Sequence, residues 1–408
     1  MILLLLADFC LVANAECPQF QSGSQVGTVA HSSLDEISGI AASRQNNDVF
    51  WVHNDHKSST YAPEVFALTS SGKHLGVYTL DSADDEDYED IAIGPGPTPG
   101  VDYLYVGNIG DNDGVRSWVE VYRVAEPVVD SQQSPVEITL TSYDTIKLQY
   151  PDGPRDAETL MVDPVTRDLY IISKRDSFSR VYRAPYPQST TTTTTMEYKC
   201  ELPWDKAAGG DISLGGDMII VRTGDGGIDI ASIWLRPEGT NLWDAFSGTE
   251  CAVELLSEEN GEAICFDANG CGYYTTSEKL YQPIYYFARD GQCPEPPPIP
   301  CDFDSSGKVD YNDLSFFVEW WLLRELSVDF APDGGDGVVN FFDWAVFADG
   351  WQDPYDIADL AVFAEQWLWV GASSEEIDPI DMAPDGGDGI INLLDFAVCA
   401  EHWFEENP

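Results

Sequence analysis

The chain has 408 residues, of which 71 are Asp or Glu and 20 are Lys or Arg, for a formal net charge of −51. A field of that sign repels nucleic acid and anionic lipid surfaces and attracts divalent cations. Hydrophobic residues make up 43% of the sequence, the content of a folded protein, which excludes reading the acidity as disorder.

The first element is Met1-Ile-Leu-Leu-Leu-Leu6, apolar up to Val12 apart from Asp8 and followed by Ala13-Asn14-Ala15. A short apolar run before a small-x-small tripeptide predicts a secretory signal peptide over residues 1–15, cut before Glu16. That run is too short to span a bilayer, no second run of about 18 apolar residues follows, and no membrane insertion is expected. Neither Cys10 nor Cys17 has lipobox surroundings. The expectation is a secreted, extracellular protein, with the periplasm as the other oxidising compartment. Of nine cysteines, only Cys10 precedes the cut, and the even remainder suggests disulfides. Cys265 and Cys271 flank the turn Asp267-Ala-Asn-Gly270; Cys17 with Cys293, Cys200 with Cys251, and Cys301 with Cys399 complete one scheme among those the sequence allows.

Residues 16–293 read as all-β, because short alternating apolar runs are separated by Asp, Asn and Gly. One unit recurs: an apolar strand, a turn, then a second strand ending in polar residues. The copies are Ile37–Ala41 with Val49–Asp55, Glu89–Ile93 with Leu104–Asp111, Glu158–Val162 with Leu169–Asp176, Asp211–Ser213 with Met218–Asp225, and Glu262–Phe266 with Tyr273–Glu278. A third strand follows in several, as in Val119–Arg123, Arg180–Arg183 and Pro283–Phe287. A period near about fifty residues with roughly four strands per unit predicts a β-propeller. Five blades are expected, with six as the alternative; a β-sandwich would not explain the repeat. The fifth unit is one strand short and the stretch Gln25–Ala30 is one strand in surplus, so pairing them would close the ring. The threonine run Thr190–Thr195 is expected to be an exposed loop between outer strands of the third blade.

Pro294-Glu-Pro-Pro-Pro-Ile-Pro300 predicts a stiff linker over 294–300. Beyond it, residues 301–408 repeat a helical pattern. Asp313–Trp321, Asp343–Trp351, Asp359–Trp367 and Asp395–Trp403 each begin with Asp, place apolar residues at helical spacing and end on Trp. Trp321, Trp351, Trp367 and Trp403 are expected to build a small core between helices, whereas Trp320 and Trp369 break the repeat and are candidates for an exposed contact. Ahead of the first helix, Asp302, Asp304, Ser306, Asp310 and Asp313 fall at EF-hand oxygen positions, with Gly307 at the sharp turn and the Lys308 carbonyl between. Ca²⁺ needs about six to eight oxygens, and this spacing folds one loop around the ion. Two further loops keep Asp336, Asn340 and Asp343, and Asp388, Asn392 and Asp395, but carry an insertion at Pro332 and Pro384 that disrupts their first positions. The copy Asp353–Asp359 lacks the glycine loop and is expected to serve packing only.

The tail over 301–404 resembles the dockerin type of EF-hand repeat. The resemblance implies calcium in the loops and docking of the helices on a cohesin-type or cell-surface protein partner. In the propeller, Ile37–Ile40 with Trp51–Asp55, Glu89–Ala92 with Tyr105–Asn112, and Asp156-Ala-Glu158 with Ser173-Lys174 resemble the secreted phytase-like (esterase-like) and SdiA-regulated propeller families over about 34–290.

Propeller sites form where loops at one rim surround the central channel. Glu89, Glu158, Asp211 and Glu262 head four first strands, where Ser38 stands in the first unit, and four converging acids call for a cation. A second polar ring comprises His53, Asn54 and Asp55; Asn108, Asp111 and Asn112; Lys174, Arg175 and Asp176; Arg222 and Asp225; Ser277 and Glu278. His53, Glu89 and Glu158 are the candidate catalytic residues. Two functions are compatible with this: a calcium-binding modular protein whose propeller binds an extracellular ligand while the tail anchors it, or a metal-dependent hydrolase of phosphoesters or polysaccharides. No Gly-x-Ser-x-Gly elbow, zinc spacing or phosphate loop is present.

Overall fold

The computed structural model describes residues 17–291 apart from 56–62, 85, 99 and 225–229. The signal peptide, the proline linker, the EF-hand loops with their helices, Asp225, Cys293, Cys301 and Cys399 lie outside the described residues. The chain divides at Pro297 and Pro298.

The described residues build five sheets, antiparallel except for one parallel strand at the edge of two of them. β1 (Ser24–Thr28) precedes the first blade, which holds β2 (Ile37–Ala42), β3 (Phe50–Asn54), β4 (Glu64–Leu68) and β5 (His74–Leu80). The second holds β6 (Tyr88–Pro95), β7 (Asp102–Asn108), β8 (Val119–Ala125) and, after the excursion β9 (Val136–Leu140), β10 (Asp144–Gln149). The third holds β11 (Ala157–Val162), β12 (Leu169–Ser173), β13 (Arg180–Ala184) and, after β14 (Thr194–Thr195), β15 (Glu197–Glu201). The fourth holds β16 (Ala207–Ile212), β17 (Met218–Thr223), β18 (Ala231–Leu235) and β19 (Cys251–Val253). The fifth holds β20 (Gly261–Phe266), β21 (Gly272–Ser277) and β22 (Pro283–Ala288), and β1 completes it by pairing antiparallel with β22 from Ser24↔Tyr286 to Thr28↔Pro283.

The innermost strands pack in a ring: β2 on β6, β6 on β11, β11 on β16, β16 on β20, and β20 back on β2. This is a five-bladed propeller. Inner strands are covered on both faces by neighbouring blades, so they read as continuous buried runs, such as Ala157–Val162 and Met218–Thr223. Outer strands have one wet face and carry charge, as in Glu197–Glu201. The core consists of layers between blades; Tyr105, Val121, Leu160 and Ile171 form one between the second and third.

Two pairings were not legible in the repeat. β9 leaves the second blade and runs parallel to β5 on the edge of the first. β14, the end of the threonine run, pairs parallel with β10 of the second blade. Each covers an outer edge that would otherwise expose unpaired backbone groups.

The disulfide scheme is corrected. Cys17 bonds to Cys251, not to Cys293, across a sequence separation of 234. Cys200 is therefore free rather than paired with Cys251, and Cys265 is a free, buried member of the core between the fifth and first blades. Cys271 is disulfide-bonded, but not to Cys265. The turn does flank Cys265 and Cys271, but Cys265 turns inward from β20 among Ala263, Ile40 and Phe50.

Candidate functional site

Every first strand carries a register shift at the same place in its pairing with the second strand: between Ile37 and Gly39, Tyr88 and Asp90, Ala157 and Thr159, Ala207 and Gly209, and Gly261 and Ala263. A bulge frees one residue from the ladder and re-aims its side chain. The freed residues are Ser38, Glu89, Glu158, Ala208 and Glu262. Repetition of one backbone irregularity thus gathers three carboxylates at one mouth of the channel.

Asp211 is not among them, contrary to the sequence alignment of the five units. It lies three residues past Ala208, half-buried, where its Oδ1 accepts from Ile212 N at 2.8 Å and its Oδ2 from Phe266 N at 2.9 Å. Asp90 does the same between the second and third blades, accepting from Ile91 N and Leu160 N, each at 2.9 Å. These acids satisfy strand-edge amides on neighbouring blades. Burial raises Asp211 to about 6 and pushes Asp90 well above the usual carboxylate range.

The mouth acids are neutralised unequally. Lys174, which follows β12, is buried and hydrogen-bonds Glu158, with its Nζ 3.2 Å from Glu262 Oε1. Burial alone would lower the ammonium's pKa, but Glu158, Glu262 and Glu89 raise it. Ser38 Oγ donates to the Glu89 carbonyl at 2.5 Å and lies 3.3 Å from Glu262 Oε2. Glu89 differs. Its Oε1 is buried with no hydrogen-bond partner among the described residues. Burial, then the charges of Glu158, Asp55, Asp87 and Glu262, push its carboxyl well above the ordinary range.

Around Glu89 two triads of oxygen ligands converge, Asp55 with Asp87 and Glu89, and Glu89 with Asp156 and Glu158, each with its ligand atoms within 4.8 Å of one another. The backbone closes on them: a Cβ at Gly110 would fall 2.3 Å from Glu89 Oε1 and 2.6 Å from the Asp87 carboxyl, so any side chain there would displace these carboxylates. Asp156 is held from outside, accepting from Asp111 N at 2.8 Å and pairing with Arg175 Nε at 2.6 Å. Asn112 ties the shell together by donating to Asp87 Oδ2 at 3.2 Å and accepting from Arg175.

The rest of the second ring serves the loops. Asn54 bonds Glu36 N and Ser33 O, Asn108 accepts from Asp87 N, and Asp111 accepts from Val115 N and Arg116 N. Asp176 takes Ser173 Oγ and Arg155, and Glu278 takes Asn260 and Lys279. Ser277 Oγ donates to Gln282 Oε1. Arg222 pairs with Glu258 at 2.8 Å, both fully buried. His53 is 1% exposed and lies against Gly39; its Nδ1 is 3.0 Å from the Asn54 carbonyl, and burial lowers its pKa to about 4. It is a neutral imidazole.

Asp87 was missed in the sequence. The available signal is the spacing Asp87-x-Glu89, which recurs as Asp156-x-Glu158: an acid two residues before the bulged acid in two consecutive blades.

No protein-family model matches this chain, and no curated protein matches it. Among solved structures, one described as a nidogen/laminin complex matches with 14% identity and a TM-score of 0.35, covering 61% of this chain and 74% of that chain. The fold rests on the strand pairing above. No helix among the described residues is long and apolar enough to cross a membrane, and the Cys17–Cys251 bond suits an oxidising compartment.

Proposed function

We propose that this chain is an exported binding protein whose propeller mouth holds a divalent cation and presents it to an extracellular ligand. The dockerin-like tail would bind calcium through Asp302, Asp304, Ser306, Lys308, Asp310 and Asp313, and dock on a cohesin-type or cell-surface protein. The observation that carries the mouth reading is the buried Glu89 carboxylate, whose Oε1 has no hydrogen-bond partner among the described residues and which offers a ligand oxygen within 4.8 Å of ligand atoms from Asp156 and Glu158. An unpaired buried carboxylate is costly, and a cation relieves the cost. The ligand set of Asp55, Asp87, Glu89, Asp156 and Glu158 is all hard oxygen, which favours Ca²⁺ over metals that seek nitrogen or sulfur. A binding role is preferred to hydrolysis because the two triads hold carboxylates only, and His53, which is buried, belongs to neither.

Calcium titration of the full chain by calorimetry tests both halves. Glu89→Gln should remove one class of sites, and Asp302→Ala with Asp313→Ala another. Unchanged stoichiometry in Glu89→Gln would refute the mouth site, and unchanged stoichiometry in the double variant would refute the tail site.

A further inference from the structure

Beside the mouth, a cavity of about 230 Å³ opens between the loops of the second and third blades, lined by Asp111, Asn112, Asp113, Arg155, Arg175 and Asp176 together with Asp156, Gly114 and Pro154. We infer that this cavity is a subsite for one neutral sugar ring, whose adjacent hydroxyls complete the coordination of the mouth cation. The inference rests on the cation reading above.

The lining excludes the other ligand classes in turn. Its only uncharged members besides Asn112 are Gly114 and Pro154, so an apolar group would strand polar atoms without gaining apolar contact. An anion fares no better. The cavity holds four carboxylates against two guanidinium groups, and both arginines are engaged: Arg155 Nη1 with Asp176 at 2.6 Å and Arg175 Nε with Asp156 at 2.6 Å. A second cation would compete with Arg155 for Asp176, with the mouth ion and Arg175 for Asp156, and with the amides of Val115 and Arg116 for Asp111. What the paired groups still offer is a dense mixture of N–H donors and spare carboxylate lone pairs. Hydroxyl groups, each both donor and acceptor, use that mixture fully.

Size and position agree. Cavities for drug-sized ligands run from about 300 Å³ upward, so this one suits a single ring. Asp156 belongs both to the cavity and to the triad with Glu89 and Glu158, so a ring seated there lies beside the ion. Calcium accepts oxygens from neutral ligands as well as from carboxylates, and a pair of neighbouring hydroxyls supplies two. Asn112 cross-ties Asp87 and Arg175, which holds the wall in place before a ligand arrives and lowers the ordering cost of binding. Phe178, 48% exposed and two residues beyond Asp176, offers an apolar face on the same loop.

Saturation-transfer NMR on the full chain tests this with the methyl glycosides of glucose, galactose and mannose, one at a time at millimolar concentration, in calcium and in chelator. Inorganic phosphate and galacturonate serve as anionic comparisons. The expected result is that at least one glycoside binds in calcium and is lost in chelator. Asp113→Ala should weaken it about tenfold, the worth of one hydrogen bond to a charged acceptor, without changing calcium affinity. Calcium binding with no glycoside signal, tighter binding of phosphate or galacturonate, or an unaffected Asp113→Ala would each overturn the subsite. Glycoside binding that persists in chelator would overturn the link between the subsite and the cation, while the mouth ion itself stands or falls with the calorimetry of Glu89→Gln.

Discussion

Glu158 and Glu262 stand at the same strand position as Glu89, yet the two sides of the mouth are neutralised by different means. On one side the chain supplies its own counter-charge, Lys174, which both carboxylates share. On the other, Glu89 faces Asp55, Asp87, Asp156 and Glu158. An internal ammonium is permanent and builds the fold, whereas a buried carboxylate oxygen without a hydrogen-bond partner among the described residues leaves room for a solute to contribute to stability. The difference comes from the second strand's exit: Lys174 follows β12, and the corresponding exit after β7 runs through Ile109 and Gly110.

Three experiments can break or sharpen that contrast. Lys174→Met should have the largest effect, because removing one partner leaves two buried carboxylates uncompensated. A loss of about 3–5 kcal/mol is expected in chelator, seen as a fall of roughly 10 °C in the first thermal transition. Calcium should recover part of it, since Glu158 is a ligand candidate as well. A variant melting like the parent would mean that Lys174 is not the counter-charge. Glu262→Gln should cost only about 1 kcal/mol, because Lys174 keeps Glu158, and should leave calcium affinity within about threefold; a larger drop would bring Glu262 into the ion's shell.

The smallest effect is the pH dependence away from the mouth. Asp211 is raised to about 6, so its folded form binds a proton that the unfolded chain does not, and its contribution to stability is lost as pH rises through 6. His53, lowered to about 4, has the opposite sign: its contribution is present above its ordinary value of 6.5 and is lost as pH falls toward 4. In chelator the melting temperature should therefore change little between pH 7 and 5.5 on account of these two groups. His53→Gln should unmask a rise on acidification. If acidification instead destabilises His53→Gln more than the parent, the buried neutral imidazole is misassigned.

Much of the fold was legible because a propeller repeats itself. Five like units, a surplus strand at Gln25–Ala30 and a deficit before Cys293 gave blade number and closure together. The site was legible only in part. Glu89, Glu158 and Glu262 were found because each heads an apolar strand, but Asp211 was taken for their fourth because Asp211-Ile212 imitates Asp90-Ile91. Hydrogen bonding explains the imitation: both acids accept from the following amide and from the next blade. A bulge has no residue signature when its freed position is Ala208. The disulfides failed for a related reason. Cys251 lies on an outer strand near the chain start only in space, and sequence separation holds no trace of that proximity. The parallel additions β9 and β14 break the unit's own pattern, so repetition could not reveal them.

The placing of the chain ends has a mechanical consequence. Ser24 of β1 lies opposite Tyr286 of β22, Phe20 bridges Arg289, and Gln21 N donates to Ala288 O. The entering and leaving segments thus meet side by side at the same end of one blade. Tension applied between the start of the propeller and whatever follows Gly291 would load the β1–β22 ladder one hydrogen bond at a time, as a zipper, the weakest loading geometry for a sheet. Cys17 changes that. By anchoring the entering segment to Cys251 on the fourth blade, it diverts the pull from the closing ladder into a covalent bond to the neighbouring sheet. A propeller tethered at its C-terminal side could then be dragged without its ring being peeled open.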